Sequence, residues 1–147
     1  MKVAITGHRP VRMNGQEQKV KFWIEEQLKN LKACYKDIEL LDGMAAGVDQ
    51  IAAKIAINNG VSLKCYFPYR YNLKGELADI AASADELIWC SENYTGKNVY
   101  MDRDRRIVEE CDVLLVVWDG KPEGGTYYTY KYAKELGKNI FIYPWGR

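Results

Sequence analysis

Short apolar, β-rich runs alternate with helical patterns along the whole chain. The runs are KVAIT (2–6), IELL (38–41), SLKCYF (62–67), ELIWC (86–90), VLLVVW (113–118) and NIFIY (139–143). Strict alternation of strand and helix predicts a parallel sheet, because parallel strands need crossover helices that cover both faces. IELL and VLLVV also lack in-and-out alternation, as doubly buried strands do. We therefore predict an α/β fold, a Rossmann-like three-layer sandwich with a mainly parallel central sheet of about six strands.

The segment from Gln16 to Leu31 shows the helical pattern most clearly. Its apolar positions are Val20, Trp23, Ile24, Leu28 and Leu31, which share one helix face. We expect further helices over residues 45–60, 73–84, 97–111 and 126–137, the second and the last of the five closed by glycine. A length of 147 residues suits one core, and no linker or repeat interrupts the alternation. We predict a single domain over residues 1–147.

The charge balance is close to neutral, with 21 Lys and Arg against 20 Asp and Glu. Such a balance gives no field that marks nucleic acid or an anionic membrane as the partner. No apolar run approaches the length of a membrane span, and the chain opens on KVAIT without a secretion signal. The four cysteines form no CxxC pair. We expect a cytoplasmic protein with reduced cysteines, no metal, no cofactor and no membrane contact.

Glycine-containing loops follow three of the predicted strands. They are TGHRP, DGMAAGVD and WDGKPEGGT. In an open parallel sheet the ligand lies beyond the carboxyl ends of the strands, near the point where the strand order reverses. Glycine lets backbone N–H groups approach a phosphate there. The spacing matches neither GxGxxG nor GxxxxGK[ST], so we predict an anion site of another kind at this edge.

Each loop also has an interpretation without a ligand. Gly43 and Gly47 suit tight packing of a helix on the sheet, and Asp49 suits a helix cap. The only histidine, His8, either lines the cleft or braces its turn, because the sequence offers no partner to orient it as a catalytic base. These alternatives remain open at this point.

The segment YMDRDRRIVEEC carries a predicted inward stripe followed by charged positions. The stripe is Tyr100, Ile107, Val108 and Cys111, with Met101 beside it. Arg103, Arg105 and Arg106 alternate with acids, which is typical of a solvated helix face with ion pairs. An arginine here would alternatively reach the sheet edge and bind a phosphate or carboxylate.

Taken in order, ITGHRP, DGMAAGVD, CYFPY, RDRRIVEECDVLLVVWDG and GGT resemble the SLOG superfamily. The resemblance covers residues 3–143 and is strongest to the YpsA-like branch, whose members are often bacterial or phage proteins. The superfamily includes the LOG phosphoribohydrolases, the DNA-binding protein DprA and sensors of ADP-ribose-type signals. It implies a Rossmann-like fold that binds a nucleotide or a nucleotide-derived ligand.

Two departures from the superfamily patterns concern the site. Arg103 is followed by Asp104 where Asn is usual, so the role of Asp104 is left open. Thr129 stands where the LOG enzymes carry a glutamate thought to act in catalysis. The resemblance therefore implies binding or sensing of an ADP-ribose-type ligand, a phosphorylated ribose compound, as the function.

An enzyme acting on the N-glycosidic bond of a nucleoside or nucleotide is the alternative, with Asp49, Asp119 and Glu123 as candidate catalytic acids. We expect no nucleic-acid partner, since DNA binding in the manner of DprA is disfavoured by the neutral charge. A homo-oligomer is left open. The expected ligand-binding residues are Thr6, Gly7, His8, Arg9, Gly43, Met44, Ala45, Gly47, Asp49, Arg103, Asp119, Gly120, Gly124, Gly125 and Thr126.

Overall fold

Six parallel strands form one sheet in the computed structural model, which describes residues 1–146. The strands are β1 (Lys2–Gly7), β2 (Glu39–Asp42), β3 (Ser62–Phe67), β4 (Glu86–Trp89), β5 (Val113–Val117) and β6 (Asn139–Ile142). Their order across the sheet is β4-β3-β2-β1-β5-β6, and every neighbouring pair is parallel. The predicted α/β fold with a parallel sheet of six strands is confirmed.

Five helices connect the strands, close to the predicted positions. They are α1 (Glu17–Cys34), α2 (Val48–Asn58), α3 (Gly75–Ala82), α4 (Asn98–Glu110) and α5 (Gly125–Glu135). A short 3-10 turn (Pro10–Arg12) follows β1. Helix α2 begins three residues later than predicted because Gly47 has a φ of +92°, outside the helical region. Within residues 1–146, no helix is both long enough and apolar enough to cross a membrane.

Each face of the sheet has its own core. On one face, Val20, Ile24 and Leu28 of α1 are fully buried in a cluster that includes Val3 and Ile5 of β1. On the other face, α4 and α5 bury their apolar sides against the alternate strand residues; the members include Ala4, Leu41, Leu114, Val116, Ile107, Val108 and Ala133. Burial on both faces explains why β5 reads as an unbroken apolar run.

The strand order reverses at β1. Strands β2, β3 and β4 extend to one side of β1, whereas β5 and β6 extend to the other. The chain therefore leaves the carboxyl ends of β1 and β5 toward opposite faces of the sheet, and a crevice opens between their loops. The predicted location of a functional cleft at this point rests on this topology.

Two glycines allow the first loop to touch the start of α2. A Cβ on Gly7 would lie 2.5 Å from Cβ of Val48, and a Cβ on Gly47 would lie 2.5 Å from the carbonyl oxygen of His8. Real Cβ atoms do not come this close to other atoms. Gly47 is therefore tightly packed, but against the loop after β1 and not against the sheet as predicted, whereas Gly7 at the end of β1 packs against α2.

We expect Gly47→Ala to destabilise the fold by about 3 kcal/mol or more, because it combines a positive φ with a clash against backbone atoms. Gly15 is the matched control: its φ is +74°, yet an added Cβ would meet nothing within 4 Å. Gly15→Ala should cost only about 1 kcal/mol for the backbone conformation. Urea unfolding of both variants measures the difference, and equal losses would contradict the close approach.

Candidate functional site

A cleft of about 330 Å³ opens at the carboxyl edge of the sheet, between the loops that follow β1 and β5. Ten of the predicted ligand-binding residues line it: Thr6, Gly7, His8, Arg9, Ala45, Asp49, Arg103, Gly124, Gly125 and Thr126. The other five, Gly43, Met44, Gly47, Asp119 and Gly120, do not line it. Three further lining residues, Val11, Arg12 and Tyr100, were missed by sequence reasoning, and the fourth is Asp104, whose role the sequence left open.

His8 joins the loops after β1 and β5. Its side chain is buried, and its Nε2 accepts a hydrogen bond of 2.8 Å from the backbone N–H of Asp119. The ring also packs edge-to-face on Trp145, with 5.4 Å between ring centroids. Burial lowers the pKa of His8 although the nearby Asp119 opposes this shift, so the neutral ring with an unprotonated Nε2 is favoured. His8 both lines the cleft and braces its turn.

Asp119, a candidate catalytic acid, is held as a structural carboxylate. One of its oxygens accepts a hydrogen bond from Arg12 at 2.8 Å, and the other accepts one from the Lys121 backbone N–H at 3.0 Å. Partial burial opposes ionisation, but the Lys121 amide and the Arg12 guanidinium together lower the pKa of Asp119. Glu123, another candidate acid, is largely exposed and lies 3.9 Å from Arg12. Neither acid lines the cleft.

Arg103 is buried beneath the cleft, so the solvated-face interpretation is wrong for this arginine. Its Nη1 donates a 2.5 Å hydrogen bond to the carbonyl of Gly43, and its Nε donates a 2.8 Å bond to Asp104. Asp104 in turn lies 3.4 Å from the Thr129 hydroxyl, which also donates to the carbonyl of Gly125. The aspartate at the unusual position thus connects α4 to α5. The solvated interpretation is correct for Arg106, which pairs with Glu110 one turn away.

Two acids near Arg103, Asp42 and Asp49, are buried, and a third, Asp104, is partly buried. Burial raises the pKa of Asp49 to about 7, and it raises the pKa of Asp42 well above the ordinary range with help from the charge of Asp49. Burial also raises the pKa of Asp104. Within residues 1–146, Oδ2 of Asp42 and Oδ1 of Asp49 have no hydrogen-bond partner. The floor of the cleft is therefore less negative near neutral pH than its acids suggest.

The two predicted anion-binding helix starts differ. At α2, the backbone N–H groups of Met44 and Ala45 bond to Asp42 and Asp49, and that of Val48 bonds to the His8 carbonyl. These donors are already used inside the protein. At α5 the first turn carries no acid, and a Cβ on Gly125 would meet nothing within 4 Å. The start of α5 is the better place for a phosphate.

Tyr100 does not belong to the inward stripe of α4, although Ile107, Val108 and Cys111 are buried as predicted. The first turn of α4 lies at the rim of the cleft instead of above the sheet. Tyr100 is 39% exposed and lines the cleft. The helical period alone carried no sign of where the sheet ends, so this part of the prediction is wrong.

Tyr100 begins a row of tyrosines that we call the tyrosine cluster: Tyr69, Tyr71, Tyr94 and Tyr100. The ring centroids of Tyr100 and Tyr94 are 6.4 Å apart, those of Tyr94 and Tyr69 are 5.3 Å apart, and those of Tyr69 and Tyr71 are 5.2 Å apart. Tyr94 is the most exposed of the four, at 52%. Trp118 is not part of this row and stacks on Tyr127 and Tyr130.

Several solved structures share this fold. DNA processing protein A (DprA) from Streptococcus pneumoniae is 23% identical, with a TM-score of 0.76, and the match covers 97% of this chain and 50% of that protein. DprA from Helicobacter pylori, described as binding single-stranded DNA in a unique mode, is 22% identical with a TM-score of 0.69, covering 98% and 65%.

The molybdenum cofactor carrier protein of Chlamydomonas reinhardtii is 17% identical with a TM-score of 0.64, covering 96% of this chain and 74% of that protein. At these identities the likeness shows the fold alone. The chain spans about half the length of the pneumococcal protein. Among curated protein sequences, none gives a significant match.

The predicted function, recognition of a nucleotide-derived ligand with N-glycosidic cleavage as the alternative, is wrong. The family model for DNA recombination-mediator protein A matches residues 1–146, and a protein of this fold is described as binding single-stranded DNA. The expectation of no nucleic-acid partner is wrong for the same reason. Net charge averages over the whole surface, whereas a DNA strand contacts a local set of cations and aromatic rings.

The resemblance to the SLOG superfamily is confirmed, while the YpsA-like branch stays a prediction. The matched model extends over almost the entire chain, from residue 1 to residue 146. The chain belongs to the family of DNA recombination-mediator protein A.

Proposed function

We propose that the chain binds single-stranded DNA through the cleft and the tyrosine cluster. The observation that carries this proposal is their continuity: Tyr100 lines the cleft and contacts Tyr94 in the exposed row of rings. Proteins that bind single strands combine cations along the backbone path with aromatic side chains on which bases stack. The family match and the described activity of the Helicobacter relative support the same function.

The cleft supplies groups for the phosphates. Arg9 is exposed at its rim and, within residues 1–146, forms no ion pair. The start of α5 presents the backbone of Gly125 without a covering side chain. Arg12 lies beside this start, since a Cβ on Gly124 would be 3.0 Å from its Nη1. A guanidinium next to helix N–H groups is a strong combination for a phosphodiester oxygen.

The tyrosine cluster supplies surfaces for the bases. An exposed tyrosine presents a flat apolar face, and stacking of a base on it contributes roughly 1–3 kcal/mol whatever the base. Beyond the cluster, the guanidinium of Arg70 lies 5.0 Å from the ring centroid of Trp89 and is bonded to Glu92. The path of the bases therefore leads from Tyr100 across Tyr94 toward the carboxyl ends of β3 and β4. The family model is that of a recombination mediator. Because this chain spans only about half of the pneumococcal protein, its role in recombination is likewise a proposal.

We expect Arg9→Ala to weaken binding of a fluorescein-labelled oligodeoxythymidine roughly tenfold, because it removes a charge-assisted hydrogen bond to phosphate. Lys36→Ala is the matched control: Lys36 is also exposed but lies before β2, at the opposite edge of the sheet. Fluorescence anisotropy measures both dissociation constants. Equal weakening by the two substitutions would mean that binding is nonspecific attraction to positive charge.

Tyr94→Ala should weaken binding of the same oligonucleotide about tenfold, because it removes one stacking surface. Tyr35 provides the control, since it is 49% exposed against 52% for Tyr94 and lies beyond the carboxyl end of α1, at the other edge. Tyr35→Ala should leave affinity within about twofold. If Tyr94→Ala behaves like Tyr35→Ala, the bases do not follow the tyrosine cluster.

Affinity should rise as the pH falls from 8 to 6. Asp49, with a pKa near 7 because of burial, is charged above that pH and neutral below it, so protonation removes a negative charge that repels phosphate. We expect a gain of about 3–10-fold. Asp49→Asn should bind more tightly at pH 8 and show a flatter profile, with a residual slope from Asp42 and Asp104, whose pKa values burial also raises. Anisotropy titrations at constant ionic strength test this, and parallel profiles would exclude Asp49 as the titrating group.

A further inference from the structure

A second groove lies between α4 and α5, outside the cleft. It has a volume of about 310 Å³ and is lined by Met101, Arg105, Tyr128, Lys131, Tyr132 and Glu135. Tyr128 is 52% exposed at one end, although it is a large aromatic side chain. Neither the fold nor the cleft explains why this ring faces solvent here.

The groove is continuous with the cleft. Both helices start at the carboxyl edge of the sheet, because each follows a parallel strand, so they run in the same direction away from the cleft. Tyr100 and Thr126 line the cleft, and Met101 and Tyr128, one and two positions further along their helices, stand at the upper end of the groove. From Tyr128 to Glu135 the groove extends about 10 Å along α5.

Two cations stand on opposite walls of the groove. Arg105 and Lys131 are exposed, and within residues 1–146 neither forms an ion pair. The guanidinium of Arg105 lies 5.7 Å from the ring centroid of Tyr132, whose hydroxyl bonds to Glu109. The upper part of the groove is therefore positive, while Glu109 and Glu135 make its lower end negative.

We propose that a DNA strand leaving the cleft continues into the upper part of this groove, with its phosphates near Arg105 and Lys131 and a base against Tyr128. This inference rests on the proposed function of the cleft. Cations without an ion pair beside an exposed tyrosine suit a single DNA strand. The phosphates of the strand neutralise the cations, and a base covers the tyrosine ring. The acids at the lower end limit the path to the first turns of the helices.

The test compares Arg105→Ala/Lys131→Ala with Lys19→Ala/Lys36→Ala, which removes two exposed charges from other surfaces. Each variant is titrated with two oligodeoxythymidines, one of four and one of twelve nucleotides. The shorter strand is at the lower limit of the usual site sizes for single strands, and the longer strand lies within that range. We expect the groove variant to lose roughly tenfold on the longer strand and to stay within about twofold on the shorter one. For the longer strand, the slope of the logarithm of the binding constant against the logarithm of the salt concentration should become shallower by about 1.4, which is about 0.7 for each lost phosphate contact.

The exchanged pair Arg105→Lys/Lys131→Arg should restore both the affinity and the salt slope, because it keeps the two charges. An unchanged affinity and slope on the longer strand would overturn the groove proposal and leave the cleft proposal standing. Equal losses on both strands would also overturn it, since the substitutions would then be acting on the cleft. If the wild-type chain binds neither strand, both proposals fail.

Discussion

The burial of one arginine organises the carboxyl edge of this sheet. Arg103 is only 6% exposed, and a guanidinium out of water must be bonded to remain stable there. Its partners are the Gly43 carbonyl after β2 and the Asp104 carboxylate on α4, and Asp104 reaches Thr129 on α5. One buried charge thereby fixes three segments relative to one another. Any cleft between these segments takes its shape from this requirement.

The same requirement controls the electrostatics of the edge. Acids placed around a buried guanidinium offset its charge, but burial makes a full set of ionised carboxylates unfavourable. The raised pKa values of Asp42, Asp49 and Asp104 express this balance. The chain thus carries several aspartates beneath its cleft without a strongly negative field. In the proposed function, a few cations at the rim of the cleft contact the strand, so a basic overall composition is not required.

Much of the fold was predictable from the sequence because hydrophobic periodicity decides it. The runs such as VLLVVW and the stripe from Val20 to Leu31 define strands and helices without reference to distant residues. The topology placed the loops correctly at one edge. What could not be predicted depends on contacts between distant segments: Arg12 reaching Asp119, Arg103 turning inward, and Tyr100 standing at the rim. The expectation of no nucleic-acid partner was wrong because it was drawn from the charge of the whole chain, whereas binding depends on the local arrangement of cations and rings.

Gly125 has a property that its neighbours lack. Gly7, Gly43 and Gly47 are each constrained by atoms that an added Cβ would meet, whereas the space around Gly125 is open and its φ is not positive. Gly125 is thus a glycine of the cleft at which a side chain meets no steric obstacle. Among relatives, or in a laboratory library, this position offers a way for the binding properties of the cleft to diverge while the scaffold is retained.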